Sequence, residues 1–153
     1  MPQFASPFPL HWSRRLMIAA LFCAFPFFVQ AQPQTPGPAD RAAIRSVIES
    51  QMAAFLKDDA VGAFSFANPM IQRMFGSPER FMSMVREGYA PVYRPSNVAF
   101  GPLDLVEGQW IQAVSVIGPD GQPALALYAM EKQADGSWLI AGCSLTKSPG
   151  AGA

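Results

Sequence analysis

Two periodicities divide the chain. Between about residues 40 and 88 apolar side chains recur at helical spacing, and from residue 98 onward they crowd into strand-length runs separated by glycine-containing turns. Ile44, Val47, Ile48, Gln51, Met52 and Phe55 follow the 3.6-residue period, with Asp40 placed to cap the helix they define. Asp58-Asp59 interrupts the pattern; Asp59 can cap a short second helix running through Phe66, which Asn68-Pro69 stops. A brief segment around Met70–Phe75 ends at Gly76. Ser77-Pro78 then opens a third helix, with serine as cap and proline at the first helical position. Phe81, Met84 and Val85 share its buried face and Gly88 ends it. Tyr89-Ala-Pro-Val-Tyr-Arg-Pro95 is expected to be extended, because each proline restricts the residue before it.

The second half reads as a β-meander with strands Val98–Val106, Gln109–Ile117, Gln122–Lys132 and Ser137–Thr146. Glu107-Gly108, Gly118-Pro-Asp-Gly121 and Ala134-Asp-Gly-Ser137 supply the turns. With an even number of residues in each loop, one face collects Leu103, Leu105, Trp110, Gln112, Val114, Leu125, Leu127, Trp138, Ile140 and Ser144. The opposite face collects Phe100, Asp104, Ile111, Ala113, Tyr128, Met130, Leu139, Cys143 and Leu145. A sheet with one wet face should alternate apolar with polar residues. Here both faces are largely apolar, so one packs on the helices and the other calls for a cover. A second copy joined sheet to sheet, a homodimer, is the simplest.

Residues 1–15 contain no acid, and their formal charges are Arg14 and Arg15. The apolar run Leu16–Phe28 and then Val29-Gln30-Ala31 complete the pattern of a cleavable secretory signal over residues 1–31. The run is shorter than the roughly 20 residues of a spanning helix, and Pro26 interrupts it. Ser13-Arg14-Arg15 also permits a twin-arginine route. The expected location is therefore periplasmic or secreted, with no membrane attachment after cleavage. Residues 32–38 form a proline-rich leader, 39–147 one domain, and 148–153 a flexible tail of small residues.

Cleavage changes the chemistry available. It removes His11, the only histidine, and Cys23, leaving a single Cys143 and a slightly acidic chain. A nucleophile–imidazole site then cannot be assembled, nor an ordinary zinc site or an intrachain disulfide. With no basic cluster there is no electrostatic footprint for nucleic acid. No cofactor is expected.

The segments Ile44–Gln51, Asp58-Asp59, Ala63–Pro69, Phe81–Val85, Tyr89–Pro95 and Trp138–Cys143 carry a resemblance. Through them residues 40–147 resemble a bacterial family known as domain of unknown function 4864. Three N-terminal helices on a curved four-stranded antiparallel meander also look like the cone-shaped α+β fold of the nuclear transport factor 2-like superfamily. The resemblance implies the fold and no activity. Such a cone implies a pocket between helices and sheet, with Trp110, Gln112 and Ser144 facing it and Tyr89 and Tyr93 near its mouth; the other reading makes the Trp and Tyr residues core anchors and bonds Gln112 to backbone.

The leading expectation is a non-catalytic module binding a small ligand or a protein. The alternative is an acid–base lyase or isomerase in which Asp104 acts as base and the Tyr128 hydroxyl steadies an oxyanion, as ketosteroid isomerase-like members of the superfamily do. Their motif pattern is not reproduced here, the pair falls on the face opposite Trp110, and the other reading of Asp104 is a strand-end residue in solvent. A structural assembly module of the cell envelope is a third reading. Cys143, between Gly142 and Ser144, reads as an inert strand cysteine rather than a reactive thiol. Arg94 could clamp an anionic ligand or stand in solvent.

Overall fold

The computed structural model describes residues 36–147. The expected signal, most of the leader and the expected tail lie outside the described residues. The element order is α1 (Pro38–Leu56), α2 (Ala60–Ser65), α3 (Pro69–Phe75), α4 (Pro78–Gly88), α5 (Ala90–Tyr93), β1 (Asn97–Val106), β2 (Gln109–Ile117), β3 (Pro123–Lys132) and β4 (Trp138–Lys147). The architecture is α+β, with helices on one side of an antiparallel meander of strand order β1-β2-β3-β4.

Among the described residues the helical layer has five helices, against three expected. Asn68-Pro69, expected as a stop, is also a start: the Asn68 side chain accepts the Ile71 N–H at 3.0 Å and Pro69 takes the first position of α3. The stretch expected to be extended winds into α5, because Pro91 falls in a first turn that does not need its N–H. Tyr93 and Arg94 donate back to the Tyr89 and Ala90 carbonyls at 2.9 and 3.0 Å. Asp59 and Ser77 cap α2 and α4 as expected.

Helix α1 lays Ile44, Ile48, Met52 and Phe55 into the core, each fully or almost fully buried. Burying a side chain of this kind stabilises the fold by about 1.5–3 kcal/mol. Asp40 does not cap α1, whose N-cap is Gly37. Its carboxylate instead accepts from Lys132 Nζ at 2.8 Å and Trp138 Nε1 at 2.9 Å, tying the start of α1 to the β3–β4 hairpin. At the other end Asp58 adopts φ 55°, a left-handed conformation that Asp tolerates better than most residues. It accepts from Arg86, Arg94 and the Tyr93 hydroxyl.

The strands lie within a residue of expectation, but their faces do not. Ile117 pairs with Pro123, so residues 118–122 form an odd-numbered loop and Trp110 faces Met130, Gln112 faces Tyr128. Bulges between Phe100 and Leu103 and between Ala129 and Met130 shift register again. The helix-facing side therefore carries Phe100, Gln112, Val114, Tyr128, Met130 and Cys143, while Leu125, Leu127 and Ser144 lie on the outer side with Asp104. The outer edge of β4 is also engaged: Asn68 N–H donates to Ile140 O at 2.8 Å and Ile140 N–H to Phe66 O at 2.9 Å.

The two aspartate clasps are expected to make stability depend on pH at the acid end. Asp40 sits below its ordinary 3.8 because of the hydrogen bonds from Lys132 and then Trp138. Asp58 is lowered by the Tyr93 hydroxyl first, burial opposing and Arg86 and Arg94 adding to the lowering. A depressed carboxylate contributes stability above its unfolded value and loses it as pH falls through the folded one. The urea midpoint of the wild type is expected to fall more steeply below about pH 4 than that of an Asp40→Asn/Asp58→Asn chain. Parallel curves would show that neither clasp contributes.

Candidate functional site

A cavity of about 260 Å³ lies where the helices meet β4. Its sheet side is built from Tyr128 and from Ile140–Cys143, the stretch that contains the β4 bulge. Phe81, Met84 and Val85 of α4 and Phe55 of α1 form a second wall. Met70, Ile71, Met74 and Phe75 of α3 form a third. Helix α3 buries no residue completely, and Met70 and Met74 are 53% and 68% exposed, so this methionine wall is also the rim. Flexible, polarizable methionines adapt to varied apolar shapes.

The polar groups around the cavity are few. Gln51 donates its amide N–H to Ala63 O at 3.1 Å, and the Tyr89 hydroxyl donates to Cys143 O at 2.9 Å. Tyr128 is 1% exposed; its hydroxyl has no nitrogen or oxygen partner and sits beside the Cys143 thiol. Burial, with the neighbouring Cys143 adding to it, pushes the Tyr128 hydroxyl well above the ordinary tyrosine value. Burial likewise pushes the Cys143 thiol up to about 12, against the lowering influence of the Tyr128 hydroxyl. Both groups therefore hold their protons at physiological pH, and Cys143 lacks the cation that a reactive thiol requires. Among the described residues no group of three or more His, Cys, Asp or Glu side chains comes together to hold a metal ion.

The residues singled out from sequence are scattered. Tyr89 lines the cavity. Trp110 borders a different, more polar depression beside Asp40, Lys132 and Trp138. Gln112 is buried on the helical side, where its amide reaches the carbonyls of Gly101, Pro102 and Ala113 at 2.9, 3.2 and 2.9 Å. That satisfies backbone freed by the β1 bulge rather than presenting a group to a ligand. Ser144 is exposed on the outer face. Tyr93 belongs to the Asp58 clasp, with the Arg94 guanidinium 4.2 Å from its ring centroid. Arg94 is neither an anion clamp nor free in solvent: it donates to Asp58 at 2.8 Å and to the Phe55 carbonyl at the end of α1.

Asp104 and Tyr128 do not form an acid–base pair. Asp104 is exposed and pairs with Ile111 on the outer face, whereas Tyr128 pairs with Gln112 on the helical face. Sequence reasoning also passed over the methionine wall. Its one sequence signal is Met70 and Met74 at i, i+4 spacing beside Ile71 and Phe75 on a short segment.

The thiol chemistry is directly measurable. In a Cys23→Ser chain at pH 8, a disulfide reagent is expected to label Cys143 about a thousandfold more slowly in the native than in the urea-unfolded protein, following the loss of thiolate. Similar rates in the two states would reveal an activated thiol.

The geometry can be set beside known proteins. A family described as "Domain of unknown function (DUF4864)" matches residues 38–153. No curated protein matches the chain. Among solved structures, the chain is similar to an NTF-2 like protein of unknown function from Burkholderia xenovorans LB400. The two are 14% identical with a TM-score of 0.43, over 72% of this chain and 90% of that one. The match across residues 38–153 takes in all five helices and all four strands, and the chain belongs to the DUF4864 family of domains of unknown function.

Proposed function

We propose that this domain binds a small apolar-to-amphipathic molecule in the cavity beneath α3 and carries out no chemistry on it. The observation that carries the reading is the cavity itself, an apolar space of about 260 Å³ walled by phenylalanine and methionine. The absence of chemistry follows from its surroundings: the cysteine that lines it, Cys143, is held as a thiol, and the carboxylate considered as a base is on the other side of the sheet. Naphthalene is a suitable probe by size and fluorescence. The chain is expected to bind it saturably with one site and a raised melting temperature. Ala141→Phe, which places a ring where Ala141 lines the cavity, is expected to weaken binding at least about tenfold while keeping a native circular dichroism spectrum. Undiminished binding in that variant, or no saturable binding by the wild type, would overturn the reading.

The export expected from residues 1–31 is part of this proposal, and so is a homodimer through the outer face of the sheet. Ile111, Ala113, Leu125, Leu127, Ala129 and Leu139 stand there half-buried in the single chain. A face of that composition is stabilised by a second copy of itself. Light scattering at micromolar concentration is expected to give twice the chain mass, and Leu127→Lys to halve it. A monomeric wild type would discard the dimer and leave the cavity untouched.

A further inference from the structure

We infer that Met70 and Met74 form an oxidation site at the cavity's rim, where a peroxide converts both thioethers to sulfoxides and so weakens the hold on an apolar ligand without unfolding the domain. The effect on binding rests on the reading above; the place of modification does not.

A thioether carries no proton, so contact with the oxidant and not a pKa decides whether it reacts. The sulfur gives a lone pair to one peroxide oxygen; the O–O bond breaks, the S–O bond forms and water leaves. Each sulfur loses two electrons and the peroxide gains them. Among the described residues Met52, Met82 and Met130 are 5%, 2% and 1% exposed, whereas Met70 and Met74 are 53% and 68% exposed. Met84 of α4, which also lines the cavity, is intermediate. Cys143 does not compete, because a peroxide attacks a thiolate and burial keeps this group a thiol.

The consequence follows from how α3 is held. Met70 and Met74 stand about one turn apart on it, and both line the cavity. Ile71 and Phe75 of the same helix pack against the core, with the Phe75 ring edge-on to Phe81 at 5.6 Å. The Asn68 cap accepts from the Ile71 N–H, and Gly76 closes the helix in the left-handed conformation. None of these anchors contains sulfur, so α3 keeps its place when the rim is oxidised. What changes is the rim's chemistry: two apolar, polarizable groups become polar sulfoxides whose oxygens hold water at the mouth. An apolar ligand has to strip that water or leave it in place, and either lowers its affinity.

Hydrogen peroxide applied to the folded full chain, followed by peptide mass spectrometry, tests the site. Met70 and Met74 are expected to gain one oxygen each at least about tenfold faster than Met52, Met82 and Met130, a difference that urea erases. The chain oxidised at both positions is expected to bind naphthalene about tenfold more weakly. Its melting temperature without ligand is expected to move by less than about 4 °C. Met70→Leu/Met74→Leu keeps the rim apolar and is expected to hold its affinity through the same treatment; the wild-type comparison stands without it. Buried methionines that oxidise as fast, an affinity unchanged by both sulfoxides, an equal loss in the leucine variant, or a larger fall in melting temperature would each overturn the inference with the cavity reading intact. A chain that never binds naphthalene overturns both.

Discussion

Side chains alternate faces along a strand, so one inserted residue moves everything beyond it to the other side of the sheet. β4 contains such a residue. Met130 pairs with Ile140, but Ala129 pairs with Gly142, leaving Ala141 as the extra member. Because of it, Trp138 and Ile140 before the bulge and Cys143 and Leu145 after it all meet the helical layer. Continued regular pairing would have set Gly142 and Ser144 in those last two places. The sheet would then have offered the helices a polar, small-residue surface, and the cavity beside Tyr128 would have lost its floor. The bulge also coincides with the stretch of β4 whose outer edge receives Phe66 and Asn68. One local irregularity thus sets the cavity wall, while the adjacent edge contact brings α3 to it.

What holds the opposite wall is more conventional. Helix α1 is fixed along its length by apolar burial and at each end by an aspartate. The exposed ion pairs of those clasps contribute little energy individually, and Arg86 and Asp58 are each about half exposed at their side chains. Their role is orientation, since they fix where α1 begins and ends relative to β3–β4 and to α4–α5. By contrast α3 buries nothing completely and meets the core through the partly buried Ile71 and Phe75, with the Phe75 ring edge-on to Phe81 at 5.6 Å. The site therefore combines two firm walls with one lightly held wall that faces solvent.

Much of this was legible in the sequence. The periodicity of α1, the serine–proline start of α4 and the turns of the meander are local signals, strong enough to place elements to within a residue or two at most of their ends. The failures share a cause. Parity carried evenly through the turns puts Leu125, Leu127 and Ser144 on the helical face, and Tyr128 and Cys143 on the other, whereas loop lengths are decided by pairing. Bulges leave almost no trace in a single sequence. Helices α3 and α5 were obscured by proline, which ends one helix and begins the next with the same residue type. The cavity escaped for a further reason: its walls come from four helices and two strands, and no window of sequence contains it. Gln112 stands on the expected face, with its amide bonded to backbone carbonyls.

The β1 bulge has one more effect. An outermost strand with free N–H and C=O groups invites other chains to add to it, which is how sheets grow into aggregates. At one border of this sheet Phe66 and Asn68 already occupy Ile140. At the other, β1 bends between Phe100 and Leu103 and carries Pro102, a residue with no N–H to offer. Both borders are thereby blunted against strand addition, a safeguard for a fold whose described residues hold a single, free cysteine.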